Sequence, residues 1–300
     1  MAIEAARTNF PYLDCSLNEP MKNHTSFKVG APVRAMYFPK NAEELTKLCV
    51  LFNSFETLPL IVGNGTNLLV NDTKELEMIV IKTTGIDHMR QTAETEITAG
   101  AGVLLSRLAE FARQCGLTGL EYTHGIPGSL GGAVSMNAGA YGREMKDVVF
   151  RTSAFSYMTG VYEITGAQHG FGYRRSSFSG KSDVILSSSM SLQKDDKKRI
   201  AAKMDELFMK RRESQPLDVP SAGSAFKRPK DGYAAELITQ AGLKGYSVGG
   251  ARISQKHSGF IVNYNTASFA DIMAIIDHVR ETVNKKFGVE LEPEIKIIRE

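Results

Sequence analysis

The chain has 300 residues, 42% of them hydrophobic and 23% charged, with a formal net charge of +3. This profile is typical of a soluble globular protein long enough for two or three domains, and it argues against intrinsic disorder. Two basic runs, Lys194–Arg199 and Lys210–Arg212, lie on a predicted helix with acids interleaved, which favours a solvated helix face over a nucleic-acid patch.

The cysteines are Cys15, Cys49 and Cys115, an odd number with no CxxC pair. They argue against a disulfide framework or a zinc site and favour a reducing compartment. The N-terminus has no basic region followed by an apolar stretch, and no apolar run has the length of a membrane span. We therefore expect a cytoplasmic protein without a membrane insertion.

The first eighty residues predict an α/β unit. Asn41 followed by "AEELTKLCVLFNS" has the pattern of a capped amphipathic helix, and "LPLIVG" and "MIVIKT" after it are short β-branched runs typical of strands. A second helix, "VLLSRLAEFARQCG", is expected to end at Gly116. The runs "DVVFRTSAFSYM", "VYEITG" and "DVILSSSMSLQ" then predict consecutive strands, so the middle of the chain is expected to be α+β.

The C-terminal third begins after another predicted helix, "DDKKRIAAKMDELFMKRRES", whose inward residues are expected to include Phe208. The prolines of "QPLDVPSAGS" indicate a domain boundary. The helix "SFADIMAIIDHVRETVNKKFG" is the clearest in the chain, with Ser268 and Asp271 as a capping box and Gly288 at its end.

Two glycine-rich stretches are candidates for a cofactor site. "GIPGSLGGAVSMNAGAYG" holds six glycines in eighteen residues, and "IVGNGTNLLV" has the order strand, loop, strand. The second lacks the third glycine and the helix of a Rossmann turn, but its N–H groups could form an anion-binding nest. Each could be an ordinary loop. Together they suit a ligand with a pyrophosphate and flat rings, which describes FAD.

Three other segments carry candidate chemistry. "GYRRSSF" places Tyr173, Arg174 and Arg175 between strand-like segments, where the arginines could simply be surface residues. "SAGSAFKRP" could be a domain-entry loop or present a serine near an anionic ligand. "LEPEIKII" is expected to close the chain as a strand, with Glu294 either an ordinary carboxylate or functional. His24, His124 and His257 have no metal-ligand spacing, so we expect no metal.

In order, "NHTSFKVGAP", "LIVGNGTNLLV", "GIPGSLGGAVSMNAGAYG", "FGYRRSSF", "SAGSAFKRP" and "LEPEIKII" resemble the signature motifs of the UDP-N-acetylenolpyruvoylglucosamine reductase family, also called UDP-N-acetylmuramate dehydrogenases. The resemblance runs from about Asn23 to the C-terminus. It implies an α+β fold with a two-lobed FAD-binding domain of the vanillyl-alcohol-oxidase type, lobe 1 at residues 1–82 and lobe 2 at 83–205, and an α+β substrate-binding domain at 206–300.

The activity implied by the resemblance is NADPH-dependent reduction of UDP-N-acetylglucosamine enolpyruvate through bound FAD, for bacterial peptidoglycan. In such enzymes NADPH reduces the flavin and leaves, hydride then passes to the enol ether, and a serine protonates the neighbouring carbon. Ser224 matches that serine, with Ser221 as the alternative. Arg174 and Glu294 match the residues that stabilise the enolate.

The resemblance also implies binding residues. The cofactor would be held by Gly63, Asn64, Gly65, Thr66, Asn67, Gly125, Ile126, Pro127, Gly128, Ser129, Gly131, Gly132, Ala133, Asn137, Gly139 and Tyr173. The substrate diphosphate would be held by Lys227, Arg228 and Lys244.

The chain departs from one branch of the family and resembles the second. It lacks an insertion with a substrate-covering tyrosine, and "FKRP" replaces "FKNP", so Arg228 could take the role of the missing asparagine. Two rival functions are another FAD-dependent oxidoreductase on the same scaffold and a non-catalytic nucleotide-sugar-binding protein. We expect small-molecule partners, no nucleic acid, and a monomer in preference to an oligomer.

Overall fold

A computed structural model describes residues 1–299. Within them are seven α-helices: α1 Ala2–Asn9, α2 Ala42–Asn53, α3 Leu105–Gln114, α4 Leu130–Ser135, α5 Lys197–Ser214, α6 Ala234–Gln240 and α7 Phe269–Phe287. The strands are β1 Cys15–Pro20, β2 Pro32–Tyr37, β3 Leu60–Val62, β4 Leu68–Val70, β5 Leu76–Lys82, β6 Met89–Ala93, β7 Glu96–Gly100, β8 Leu117–Thr118, β9 Gly139–Ala140, β10 Arg143–Glu144, β11 Val149–Ser156, β12 Gly160–Thr165, β13 Val184–Ser191, β14 Gln193–Lys194, β15 Ser221–Ser224, β16 Ser247–Val248, β17 Ala251–Ile253, β18 Phe260–Asn263 and β19 Lys296–Ile298.

The helices with clear sequence signals form where those signals predict them. The side chain of Asn41 accepts a hydrogen bond from the Glu44 N–H and begins α2. Ser268 and Asp271 form the predicted capping box of α7, and Gly288 ends that helix with a φ of 67°. A side-chain acceptor satisfies an N–H that has no partner inside the helix, and a glycine enters the left-handed region without a Cβ clash.

Mixed helices and sheets confirm the α+β class. The largest sheet has the order β12-β11-β13-β7-β6, and all its pairs are antiparallel. Another sheet has the order β15-β18-β17-β16, and a third has the order β1-β2-β5-β3. Strand β19 pairs in parallel with β4, with Ile297 opposite Leu69. The predicted C-terminal strand is therefore present, although it spans only Lys296–Ile298.

The described residues divide into two compact units. The first unit comprises Met1–Leu17, Ala35–Asn64 and Met78–Met209, and the second comprises Asn18–Arg34, Gly65–Glu77 and Lys210–Glu300. In the first unit, α3 and α4 pack with the large sheet in one apolar core, and α2 belongs to a second apolar core. In the second unit, the apolar face of α7 packs with β15, β17 and β18.

The predicted lobes at 1–82 and 83–205 and the predicted domain at 206–300 remain predictions. The second unit nevertheless includes two segments, 18–34 and 65–77, that the linear division assigned to lobe 1. A boundary read from prolines and composition marks one point in the chain. It cannot reveal that distant segments fold together.

One burial prediction was wrong. Phe208 was expected to face inward from α5, but 39% of it is exposed, and its ring meets the His124 ring edge-on at 5.8 Å. The buried residues of α5 are Ile200, Met204 and Leu207, which already complete one helix face. Among residues 1–299, no helix is both long and apolar enough to cross a membrane.

Candidate active site

The two glycine-rich stretches meet within the first unit. Gly63 and Asn64 follow β3, and the side-chain amide of Asn64 donates a hydrogen bond to the Pro127 carbonyl at 2.6 Å. A Cβ built on Gly63 would clash with the Ser129 hydroxyl, which is buried. Gly63 is therefore required by the close approach of the two loops to each other.

Several glycines of the long stretch serve internal packing. The stretch contains a short helix, α4, that the sequence did not predict, and its Gly131 N–H donates to the Ala101 carbonyl at 2.8 Å. A Cβ on Gly131 would lie 2.9 Å from the Cβ of Ala101, and one on Gly139 would lie 2.5 Å from the Arg143 carbonyl oxygen. These positions need glycine because neighbouring backbone lies against them.

Gly132 is different because it is exposed and a Cβ there would meet only the Ser129 Oγ, at 3.8 Å. The fold therefore leaves bare backbone open at this position, as a flat ring system lying on the main chain would require. The neighbouring Ala133 is buried in the first unit's core, so its methyl group is not open to a ligand. Of Gly131, Gly132 and Gly139, Gly132 is the one whose surroundings leave room for a cofactor.

The second half of the Gly63–Asn67 loop belongs to the second unit. Gly65 has a φ of 67°, and its carbonyl accepts a hydrogen bond from the Ser26 N–H at 3.1 Å. The side-chain amide of Asn67 donates to the Glu294 carbonyl at 3.1 Å, and the Asn67 carbonyl accepts from the Lys296 N–H at 2.9 Å. Asn67 thus ties the predicted phosphate loop to the C-terminal segment that carries Glu294.

Ser224 and Glu294 are brought together in the second unit. The Glu294 N–H donates to the carbonyl of Ala225, the residue after Ser224, at 2.9 Å. The next pairing along the two segments runs from the Lys227 N–H to the Glu292 carbonyl, also at 2.9 Å. This backbone pairing places Glu294 opposite Ala225, one position along the chain from Ser224.

The alternative serine lies on the same strand but outside that pairing. Ser221 pairs with Val262, Ser224 pairs with Phe260, and the register shifts between them. Gly223 has a φ of 77°, which a strand bulge of this kind uses. The Ser221 carbonyl accepts a hydrogen bond from the Ser26 hydroxyl. Only Ser224 adjoins the segment of Glu294.

Arg174 occupies a strained turn in the first unit. The N–H and carbonyl of Gly172 exchange hydrogen bonds with the carbonyl and N–H of Arg175 at 3.0 and 3.2 Å. Arg174 has a φ of 54°, which is uncommon for a residue with a side chain. Its guanidinium lies over the Tyr173 ring at 5.1 Å, and 47% of Tyr173 is exposed.

The segment before this turn is anchored by a buried histidine. The His169 ring accepts from the Thr152 hydroxyl at Nε2 (2.9 Å) and donates from Nδ1 to the Gly166 carbonyl (3.0 Å), and it stacks on Phe171. Burial lowers the pKa of His169. The neutral ring is therefore favoured.

The predicted diphosphate cations have different surroundings. Lys227 pairs with Glu292, and the Arg228 guanidinium lies over the Tyr233 ring at 4.4 Å. Lys244 lines a cavity of about 330 Å³ in the second unit together with Thr239, Lys256 and His257. Lys256 is a second cation that sequence reasoning missed, because its segment, "SQKHSG", has no motif that marks an anion site.

Arg174 lies in the first unit, and Ser224, Glu294 and the three cations predicted to bind substrate lie in the second. Within residues 1–299, no three His, Cys, Asp or Glu side chains are grouped as a metal site would need. All three cysteines are free.

Comparison with known proteins identifies the family. Residues 215–298 match the model of the UDP-N-acetylenolpyruvoylglucosamine reductase C-terminal domain, and residues 33–161 match an FAD-binding domain. A reductase of that name from Caldanaerobacter subterraneus subsp. tengcongensis is 46% identical over 284 residues, covering 95% of this chain and 93% of the relative. The chain belongs to the UDP-N-acetylenolpyruvoylglucosamine reductase family.

Other members of the family agree. The Clostridioides difficile reductase is 41% identical over 288 residues, covering 96% of this chain and 94% of the relative. The crystal structure of the Thermus caldophilus reductase has a TM-score of 0.80 at 32% identity and covers 95% of this chain and 98% of that chain. The protein is accordingly an FAD-dependent oxidoreductase with NADPH as co-substrate, as the sequence motifs predicted.

Proposed function

We propose that this protein reduces UDP-N-acetylglucosamine enolpyruvate to UDP-N-acetylmuramate with NADPH, as a step of peptidoglycan precursor synthesis. Bound FAD would supply the two-electron transfer from NADPH to the enolpyruvyl group. The observation that carries the proposal is the backbone pairing of the Ser224 and Glu294 segments at 2.9 Å, in a chain of this family with an FAD-binding domain.

Ser224 would supply the proton of the reaction. Reduction adds hydrogen to both carbons of the enolpyruvyl double bond, and the carbon beside the carboxylate receives its hydrogen as a proton. A serine hydroxyl is a weak acid, but an enolate carbon is a strong enough base to take its proton when the hydroxyl is held in position. Glu294 would settle the charge and proton position at this intermediate.

Arg174 would stabilise the charge that develops on the substrate carboxylate. A guanidinium can bind both carboxylate oxygens at once, and a donor fixed before the reaction costs no reorganisation when the charge appears. The strained turn around Arg174, with a φ of 54°, supports such a fixed position.

The substrate diphosphate would bind cations of the second unit. Lys244 is the best placed of the predicted three, because it lines a cavity with Lys256. Lys227 and Arg228, which contact Glu292 and Tyr233, would contribute after exchanging those contacts for the diphosphate. The predicted FAD contacts of Gly63–Asn67, of Tyr173 and of the Gly125–Gly139 residues other than Asn137 belong to the same proposal.

An anaerobic spectral titration tests the proposal. The purified, flavin-loaded protein is reduced with stoichiometric NADPH until its visible absorbance bleaches, and the enolpyruvyl substrate is then added. We expect the oxidised spectrum to return without oxygen. Bleaching without recovery would mean a different acceptor, as for another oxidoreductase on this scaffold, and a protein that cannot bind FAD would refute the proposal.

Ser224→Ala tests the proton donor. The variant should still bleach with NADPH, but recovery on adding substrate should slow by about 10²- to 10⁴-fold, because general-acid catalysis is lost. Ser221→Ala is the matched control, since it changes the same residue type on the same strand, and it should recover at nearly the native rate. Native recovery in Ser224→Ala would show that this serine is not the donor.

A further inference from the structure

Asn137 has a side chain whose polar groups are all used by the protein. The residue is fully buried, with a φ of 48°. Its Nδ2 donates to Glu144 Oε2 and to the Gly172 carbonyl, both at 3.0 Å, and its Oδ1 accepts from the Lys146 N–H at 2.9 Å. An asparagine amide has two donor hydrogens, and both are engaged here. The side chain is thus poorly suited to the cofactor contact predicted from sequence.

The contact with Gly172 is the informative one, because Gly172 begins the turn that carries Arg174. The Gly172 carbonyl also accepts the Arg175 N–H at 3.2 Å. Both of its lone pairs are therefore occupied, one by the turn itself and one by Asn137. Asn137 fixes the first residue of the turn from outside.

The turn needs such support because Arg174 has a left-handed backbone. A non-glycine residue is disfavoured in this region because its Cβ crowds the following carbonyl oxygen, and strained residues persist only where the surroundings hold them. The other end of the turn is held by the Ser176 hydroxyl, which donates to the Ser135 carbonyl at 2.7 Å. Ser135 ends α4, two residues before Asn137, so one short segment holds both ends.

We propose that Asn137 is a positioning residue for Arg174: by donating to the Gly172 carbonyl, it fixes the turn in which the arginine is presented to the substrate carboxylate. The inference rests on the proposed function for the role of Arg174. It assigns Asn137 to the substrate half of the reaction, whereas the sequence prediction assigned it to FAD binding.

The test uses Asn137→Gly. Glycine adopts a φ of 48° without strain, so this variant removes the hydrogen bonds and keeps the backbone. The control is Asn18→Gly, which changes an exposed asparagine with a φ of 52° in the second unit. FAD affinity of the apoprotein, bleaching by NADPH and spectral recovery with substrate are measured for both variants and the unmodified protein.

We expect Asn137→Gly to bind FAD and to bleach with NADPH as the unmodified protein does. Recovery per bound flavin should slow by about 10²-fold, which is the usual effect of displacing a reacting group by roughly 1 Å. In an Arg174→Ala background, Asn137→Gly should cost little more, because its effect passes through the arginine. Asn18→Gly should change none of these quantities. Weaker FAD binding with normal recovery per bound flavin would overturn the proposal, as would independent, multiplying losses in the double variant.

A readout without turnover separates this inference from the proposed function. Hydrogen exchange of the Arg175 N–H, which the turn protects, should accelerate in Asn137→Gly and remain unchanged in Asn18→Gly. Unchanged exchange would refute the positioning role. If the unmodified protein fails to recover with substrate, the proposed function fails while the exchange result still stands. Should Asn137→Gly not fold, Asn137→Ala removes the same donation to Gly172 while leaving the unfolded chain less backbone freedom, and the same measurements apply.

Discussion

Glycines that look alike in the sequence have different tasks in the structure. Gly63 and Gly131 are needed because Ser129 and Ala101 lie where their Cβ atoms would be. Gly132, next to Gly131, has open space where its Cβ would be, with only the Ser129 Oγ at 3.8 Å. The cofactor prediction treated all of them alike, although only an open position can present bare backbone to a ligand.

Gly132→Ala should separate folding from flavin binding. Alanine is favoured over glycine in a helix by about 0.5–1 kcal/mol, so the flavin-free variant should be at least as stable as the unmodified protein in urea. FAD binding should weaken, because the proposed site places the cofactor against the bare backbone at Gly132. Flavin fluorescence quenching during titration of the apoprotein measures the affinity. Undiminished affinity would remove Gly132 from the proposed cofactor site.

At the scale of the element, α7 shows how local signals specify a helix. The Ser268 N–H donates to Asp271 Oδ2 at 2.9 Å, and the Ser268 hydroxyl accepts from the Asp271 N–H at 3.1 Å. The buried stripe runs from Phe269 to Val283. Capping and periodicity act over three or four residues, so the sequence predicted this helix together with its ends.

Ser268→Ala should lower the free energy of unfolding by about 1 kcal/mol, the usual loss of an N-cap. Urea unfolding followed by circular dichroism measures it, with Ser182→Ala, at an exposed loop position, as the control. A loss no larger than that of the control would show that the cap is unimportant for stability.

Asp271 makes the same cap sensitive to acid. The hydrogen bond from the Ser268 backbone lowers the pKa of Asp271 from 3.8. Because the folded-state pKa is below the unfolded value, the stabilisation is fully present above about pH 4 and is lost as the pH falls through the folded-state pKa. Asp271→Asn should therefore lose less stability than the unmodified protein as the pH falls below about 4. An equal loss of stability with falling pH in the two proteins would show that Asp271 is not the source of the acid sensitivity.

Short elements escaped sequence prediction. Helix α4 has six residues and α6 has seven, which is too few for a helical period to be recognised, and α4 holds two glycines that argue against a helix. Phe208 was misassigned for a related reason. Periodicity indicates which residues could face inward, but the neighbours that pack on α5 decide where its buried face ends.

At the scale of the whole molecule, each unit is assembled from separate stretches of the chain. Asn67 and Glu294 are hydrogen-bonded although 227 residues separate them in sequence. Such contacts form only when the unit folds, so a ligand that binds residues from several stretches should stabilise the folded state as a whole.

Removal of FAD should therefore lower the melting temperature. A ligand that binds only the folded state adds about 2.7 kcal/mol when its concentration is a hundred times its dissociation constant. Calorimetry of the flavin-loaded and flavin-free protein should show a higher melting temperature with FAD. The difference between the two melting temperatures should be smaller in Gly132→Ala. Equal melting temperatures would mean that FAD does not bind the folded state preferentially.

The sequence alone determined the α+β class, the helices with caps and clear periodicity, and, through six motifs in order, the family. These depend on interactions between near neighbours or on residue identity, which the sequence contains directly. Only the tertiary structure decided which glycines are open, that Ser224 and not Ser221 adjoins the Glu294 segment, and that Asn137 holds the Arg174 turn. Asn137 and Gly172 are 35 residues apart, and no local rule pairs them, because their contact depends on how the core between them packs.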